Sequence, residues 1–137
     1  MASDGYTDDP SIEDCDGLWR RIPPRHFVLD ENRGGYRPSS AAFEDHPSGT
    51  PMSIHVAKDA LAEGHAPEDV LRGHEGFALA EFTAGTAREA DQGVAREPLP
   101  DQIAHGVVFG KKTKGVKRRL GRASEWVVPP PRPRNDS

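Results

Sequence analysis

Cysteine is almost absent from this chain: Cys15 stands alone. A disulfide scaffold within the chain, a zinc ribbon and a redox Cys-x-x-C pair are all excluded. Long apolar runs are also missing, and none approaches the roughly 18 residues that mark a membrane helix. The opening stretch, MASDGYTDDPSIEDCDG, has neither a basic start nor an apolar run, so no signal peptide is expected. A reducing, cytoplasmic setting is the matching expectation. Apolar residues make up only 34%, against roughly 45–50% in ordinary globular chains. Glycine (14) and proline (13) together are about a fifth of the 137 residues. Coiled coils and long helical bundles are excluded by that content. The length excludes an enzyme with separate cofactor and substrate domains and fits one domain with tails.

Charge is present, and it is sorted. Residues 1–50 hold 10 acidic and 5 basic side chains, and residues 51–104 hold 10 and 4. Residues 105–137 reverse the balance, with 2 acidic and 9 basic. The overall charge of -4 conceals this division. Such asymmetry points either to an internal acidic–basic docking surface or to a basic face offered to a polyanion.

The acidic segment 1–16 offers too little apolar surface to offset its ordering entropy, so a flexible tail is expected there. PPPRPRNDS, residues 129–137, reads as a proline-rich disordered tail. Residues 17–128 are left as a single domain, enough for one core. Short apolar runs predict strands at LWRRIP (18–23), HFVLD (26–30), MSIHVA (52–57), AHGVVFG (104–110) and EWVV (125–128). Pro23-Pro24 keeps the first two from forming one ladder. Gly34-Gly35 marks a turn, Ser39 or Ser40 caps a single helical turn, and Pro67 opens a short helix. GFALAEFTA (76–84) reads as a strand with GVAREPL (93–99) as its antiparallel neighbour. Residues 112–123 place Val116, Leu120 and Ala123 on one helical stripe. The pattern predicts an α+β fold: a small single domain with a mainly antiparallel sheet and two or three short helices.

Four features bear on function. The first is the histidine set at 26, 46, 55, 65, 74 and 105. Its spacing matches no metal-ligand helix pattern, so no metal is expected. His105 opens the strongest predicted strand, either as a functional polar group at a strand end or as an edge-strand cap. The second feature is YRPSSAAF (36–43). Arg37 offers a planar fork for phosphate or carboxylate, and Ser39 and Ser40 offer hydroxyls at a turn. The alternative is a plain N-cap beside an arginine paired with Glu44 or Asp45.

The third is the basic block of Lys111, Lys112, Lys114, Lys117, Arg118, Arg119 and Arg122. It places seven cations within twelve residues with no acid between them. Nucleic acid or an acidic protein surface is the expected partner, and self-docking of the chain's own acidic segments is the alternative. The aromatic interleaving of single-strand binders is missing from it. The fourth feature is a set of absences. There is no G-x-S-x-G and no P-loop, and no glycine cluster suits a dinucleotide fold. No cofactor is expected.

The segments LWRRIPPRHFVLDENRGGYRPSSAAFEDHPSGTPMSI, GFALAEFTAGTARE, AHGVVFGKKTKGVKRRL and EWVVPP together resemble a set of small uncharacterised bacterial proteins. These share an R-P-S-S-x-A-F segment, a later A-H-x-x-V-F/C-G-K-K-T segment and a closing W-V strand. The resemblance spans residues 18–130 and implies a small bacterial soluble protein without implying an activity. A second resemblance, by analogy alone, is to ADP-ribosyltransferase-type folds. It would cast Arg20 or Arg21, Ser39 or Ser53, and Glu125 or Glu81 around NAD.

Three functions follow as expectations. The leading one is an accessory binding module that holds an anionic partner through residues 111–122, aided by Arg37, Ser39 and Ser40. The second is a nucleotide- or NAD-using enzyme with Arg37, Ser39, Ser40 and His105 around one pocket. The third is a structural subunit of a larger assembly. No membrane partner is expected.

Overall fold

Leu18, Trp19 and Ile22 are buried apolar positions on strand β1, Gly17–Ile22, where they share the strand with Arg20 and Arg21. The sheet is built around this strand. The computed structural model describes residues 5–131. Their elements, in chain order, are β1, β2 (Phe27–Asp30), β3 (Gly35–Pro38), β4 (Met52–Val56), α1 (Ala57–Ala62), α2 (Pro67–Val70) and β5 (Ala78–Thr83), then α3 (Ala84–Glu89), β6 (Gly93–Arg96), β7 (His105–Phe109), α4 (Lys114–Ala123) and β8 (Glu125–Val128). Six strands form one sheet in the order β6-β7-β4-β1-β5-β8. Every neighbouring pair in it is antiparallel. Strands β2 and β3 make a separate two-stranded hairpin. This is an α+β single domain with a mainly antiparallel sheet and four short helices.

Successive side chains on a strand point to opposite faces, so the sheet has two distinct sides. Leu18, Ile22, Ile54, Val56, Phe82, Val94 and Val108 face one side. There they pack with Ala84 and Ala87 of α3, Leu120 of α4, and Phe43. Trp19 and Leu79 face the other side, against Ala57 and Ala60 of α1 and Val70 of α2. The β2–β3 hairpin is fastened to β8 by an aromatic group. The Phe27 ring lies edge-on to Trp126 at 6.1 Å and tilted against Tyr36 at 5.5 Å. The Trp126 Nε1–H donates to the Tyr36 carbonyl at 2.9 Å.

The β1–β5 ladder runs six residues, but the β1–β4 ladder holds only two pairs, Leu18–Val56 and Trp19–His55. Arg20 explains where it stops. Its guanidinium occupies the opening, with Nη1 donating to the Ser53 carbonyl at 2.8 Å and Nε to the Ala42 carbonyl at 3.1 Å. A side chain thus satisfies a carbonyl that the ladder leaves unpaired.

Three expectations need correction. Residues 93–99 do not return beside β5, because Thr83 accepts the Thr86 N–H at 3.1 Å and starts helix α3. That helix buries Ala84 and Ala87 against the sheet and carries the chain across to pair β6 with β7. Helix α4 begins at Lys114, with Thr113 as N-cap accepting the Val116 N–H at 3.2 Å. Its inner stripe uses Val116, Leu120 and Gly121, while Ala123 is exposed.

The third correction concerns the acidic segment 1–16. Its described residues, 5–16, lie on the domain, and Ile12 is fully buried in the core. The Asp9 N–H donates to the Val94 carbonyl at 2.8 Å, and the Asp8 carboxylate accepts the Val94 N–H at 2.9 Å. Arg88 pairs with Asp8 at 3.1 Å and Asp14 at 2.7 Å. Arg96 pairs with Asp9 at 3.1 Å, and Lys58 with Asp16 at 2.7 Å. The acidic charge that suggested a tail is matched by cations distant in sequence, and one isoleucine supplies the apolar anchor. Residues 1–4 of that expectation, and residues 132–137 of the proline-rich tail, lie outside the described residues.

Partly exposed ion pairs of this kind each contribute little, so Ile12 should dominate the docking. Ile12→Ala is expected to lower stability by about 2–5 kcal/mol, read as a lower urea midpoint with an unchanged slope. An unchanged midpoint would return the segment to the status of a loose tail.

Candidate anion-binding site

Strand β3 delivers Arg37 to the surface and buries Pro38 beside it, and the next residues turn sharply. Ser39 accepts the Ala41 N–H at 3.2 Å and caps a single 3-10 turn, Ser40–Ala42. Its hydroxyl is therefore used in capping. Arg37 pairs with Asp30 at 3.7 Å and not with Glu44 or Asp45. Ser40 is exposed.

Helix α4 passes close over this turn at Gly121. A Cβ built there would stand 3.5 Å from the Phe43 ring and 3.6 Å from the Ser40 Cα. A Cβ would thus sit in ordinary contact there, and Arg118 and Arg122, one turn apart on α4, stand beside this seam. A concavity of about 380 Å³ results, lined by Asp30, Arg37, Pro38, Ser40, Arg118, Gly121 and Arg122. Two segments some eighty residues apart in sequence thus bring three guanidinium groups and a hydroxyl to one depression, with Asp30 as its single carboxylate. Arg118 and Arg122 also line an adjoining shallow groove between α3 and α4, with Thr86, Glu89 and Arg119. Neither arginine has a carboxylate within ion-pair distance among the described residues.

The rest of the basic block divides. Lys112 turns inward, and its side chain is 5% exposed. Its ammonium donates to the Val108 carbonyl at 2.9 Å and the Gly110 carbonyl at 3.1 Å, and pairs with Asp45 at 3.0 Å. Burial holds its pKa below the ordinary lysine value, against the opposing pull of Asp45. Lys112 is a structural cation and is unavailable to a partner. Lys117 stands 3.8 Å from Glu44. Arg119 donates to the Glu89 carbonyl at 2.9 Å. Lys111 and Lys114 are exposed. Self-neutralisation of the block is thus partial, and it comes from residues 44–45, while residues 8–16 and 59 pair with Lys58, Arg88 and Arg96.

His105 does not join this concavity. It opens β7 opposite His55 in the register, on the sheet face turned away from α4. The two imidazoles meet edge to face at 6.0 Å. His105 Nδ1 donates to the Glu97 carbonyl at 3.0 Å, and the Glu97 carboxylate also takes the Tyr6 hydroxyl. His55 Nε2 donates to Gln102 Oε1 at 3.2 Å. The residues suggested by the transferase analogy are scattered as well. Arg20 and Ser53 touch each other, Glu81 accepts from Trp19 Nε1 on the opposite face at 3.1 Å, and Glu125 is exposed on β8.

Among the described residues, one group places three metal-ligating atoms within 4.8 Å of one another: Glu13, Cys15 and Asp16. Asp16 is already held by Lys58 and by the Glu13 N–H at 2.6 Å, so the group is a surface turn. No helix among the described residues is long and apolar enough to cross a membrane. Comparisons with family models, with curated proteins and with solved structures give no match.

Sequence reasoning found Arg37, Ser40, Arg118 and Arg122 as members of two separate features. It missed their union, and it missed Asp30. The union is made where α4 packs at Gly121 over Phe43 and Ser40, a tertiary contact that no local pattern in the sequence announces.

The buried His55 generates a pH prediction. Burial, with the Arg21 charge second, pushes its pKa down to about 4. The folded protein therefore holds it neutral, while the unfolded chain protonates it near the ordinary value of about 6.5. Its contribution is full above pH ~6.5, falls as pH drops toward about 4, and then levels off. The loss is at most about 3 kcal/mol. Urea midpoints between pH 7 and 4.5 should fall in the native protein and fall less steeply in His55→Gln, where His26 and His74, whose pKa values burial also lowers, keep a smaller slope. A slope undiminished by the substitution would place the main titrating group elsewhere.

Proposed function

We propose that this protein is a binding module for an anionic partner, gripped in the concavity where Arg37 and Ser40 meet Arg118 and Arg122. The observation that carries this reading is the convergence of three guanidinium forks on one depression, with one carboxylate among them. Guanidinium groups are weakly hydrated and present paired N–H donors, so they suit carboxylate and phosphate oxygens. The partner we favour is an acidic protein segment. Nucleic-acid backbone binding is supported less well, because Lys112 is internal and Lys117 is matched by Glu44. No aromatic side chain lines the concavity to stack a base. The enzyme reading, with His105 in the same pocket, loses its geometric support because that residue stands on the other face.

The test uses the full chain with two fluorescent probes across a salt series: a Glu/Asp-rich peptide and a DNA duplex. The acidic peptide should bind at low salt, and Arg118→Glu with Arg122→Glu should abolish binding while the unfolding midpoint stays put. Each lost charge-assisted contact is worth about 1.5–3 kcal/mol, so Arg37→Ala alone should weaken binding at least tenfold. Duplex binding with a log K–log salt slope near -3.6, the value for about four phosphates, would make nucleic acid the partner. Silence of both probes at low salt would remove the anion reading altogether.

A further inference from the structure

Arg118 and Arg122 have a double setting. The row they form on α4 separates two concavities, and both residues line each of them. On one flank lies the Arg37 depression of about 380 Å³. On the other lies the groove between α3 and α4, about 460 Å³, which Thr86, Glu89 and Arg119 also line.

The two flanks carry charge of the same sign. Together they hold four guanidinium groups, from Arg37, Arg118, Arg119 and Arg122. Against these stand two carboxylates, Asp30 in the first concavity and Glu89 in the second. Arg118, Arg119 and Arg122 are exposed, and among the described residues none has a carboxylate within ion-pair distance. Arg119 donates to the Glu89 carbonyl at 2.9 Å, which uses one of its five donors. Beyond Thr86 and Glu89 the excess of cations ends. The next hollow is lined by Asp14 and Arg88, which are paired with each other at 2.7 Å. The uncompensated charge therefore spans α4 and stops at α3.

We propose that the two concavities are one binding surface, and that its occupant is an extended acidic segment of a partner protein that crosses α4. The proposal rests on the reading of the Arg37 site given above and goes further by fixing the shape and spacing of the partner. An α-helix with its side chains is about 10–12 Å across. An extended chain advances about 3.3 Å per residue, so about three or four residues carry it over the ridge. The partner thus bears two acidic clusters about that far apart, one for Arg37 with Ser40 and one for Arg119 with Thr86. Arg118 and Arg122 lie under the crossing. A helical partner, as thick as α4 itself, would lie along one flank or straddle the ridge without entering both concavities.

The experiment uses the full chain and three fluorescent peptides of equal length in a Gly/Ser background at low salt. One carries a single cluster of three glutamates. The second carries two such clusters separated by four residues, and the third carries the same two clusters fused. The spaced peptide is expected to bind about tenfold or more tighter than either of the others, because its second cluster engages at high effective concentration. Arg119→Ala, a change at an exposed residue, should remove that advantage. The same variant should leave the single-cluster peptide and the unfolding midpoint unchanged, whereas Arg37→Ala should weaken both the single-cluster and the spaced peptide. Equal affinity for the spaced and fused peptides, or indifference of the spaced peptide to Arg119→Ala, would overturn the proposal and leave the Arg37 site standing. Failure of all three peptides to bind would overturn both.

Discussion

Phe43 is fully buried, its ring edge set against Phe82 at 5.9 Å, and helix α4 lies over it at Gly121. The surface features described above depend on this contact. It ties the turn after β3 to the last helix, and so places Arg37 and Ser40 beside Arg118 and Arg122. It also holds residues 44–45 where they meet Lys112 and Lys117. An alanine Cβ at 121 would fit in ordinary contact, but a side chain reaching further would press helix and turn apart, because close-packed interiors tolerate little added volume. The basic face of the protein is thus positioned by an apolar contact beneath it.

The cations fall into two populations by what surrounds them. Lys112 and Arg20 sit inside the fold and satisfy carbonyls that neither helix nor sheet uses. Arg118 and Arg122 stand outside, with no acidic neighbour in ion-pair range among the described residues. Arg88 and Arg96 are a middle case, spent on fastening residues 8–14 to β6 and α3. The same residue type therefore serves as glue and as clasp, and also stands exposed on the surface. Net charge per segment cannot tell these roles apart, since it ignores burial.

Much of the fold was legible from local signals. Strand–helix–strand at the end of the chain follows from AHGVVFG, the Val116–Leu120 spacing and EWVV. The capping role of Ser39 and the helix opened by Pro67 follow from residue chemistry. The pairing of β6 was not legible. Thr83 as a cap and Ala84 and Ala87 as a small buried face carry a weaker signal than the β-prone residues just before them. Ile12 was hidden for a similar reason, being one apolar residue among six carboxylates. Of the candidate site, the residue types were readable but their meeting was not, because it rests on tertiary packing at Gly121.

The position of β1 in the sheet has a consequence for how the chain acquires its structure. Among the described strands the earliest to be synthesised is an inner one, and its two neighbours, β4 and β5, are made much later. Closing such long loops is entropically unfavourable, and folds dominated by distant pairings form slowly. Leu18, Trp19 and Ile22 must therefore wait without partners while the middle of the chain is synthesised. Proline-bounded, arginine-studded and only six residues long, β1 is poorly suited to pairing with copies of itself during that wait. The two arginines that later serve the folded protein would keep the nascent strand in solution.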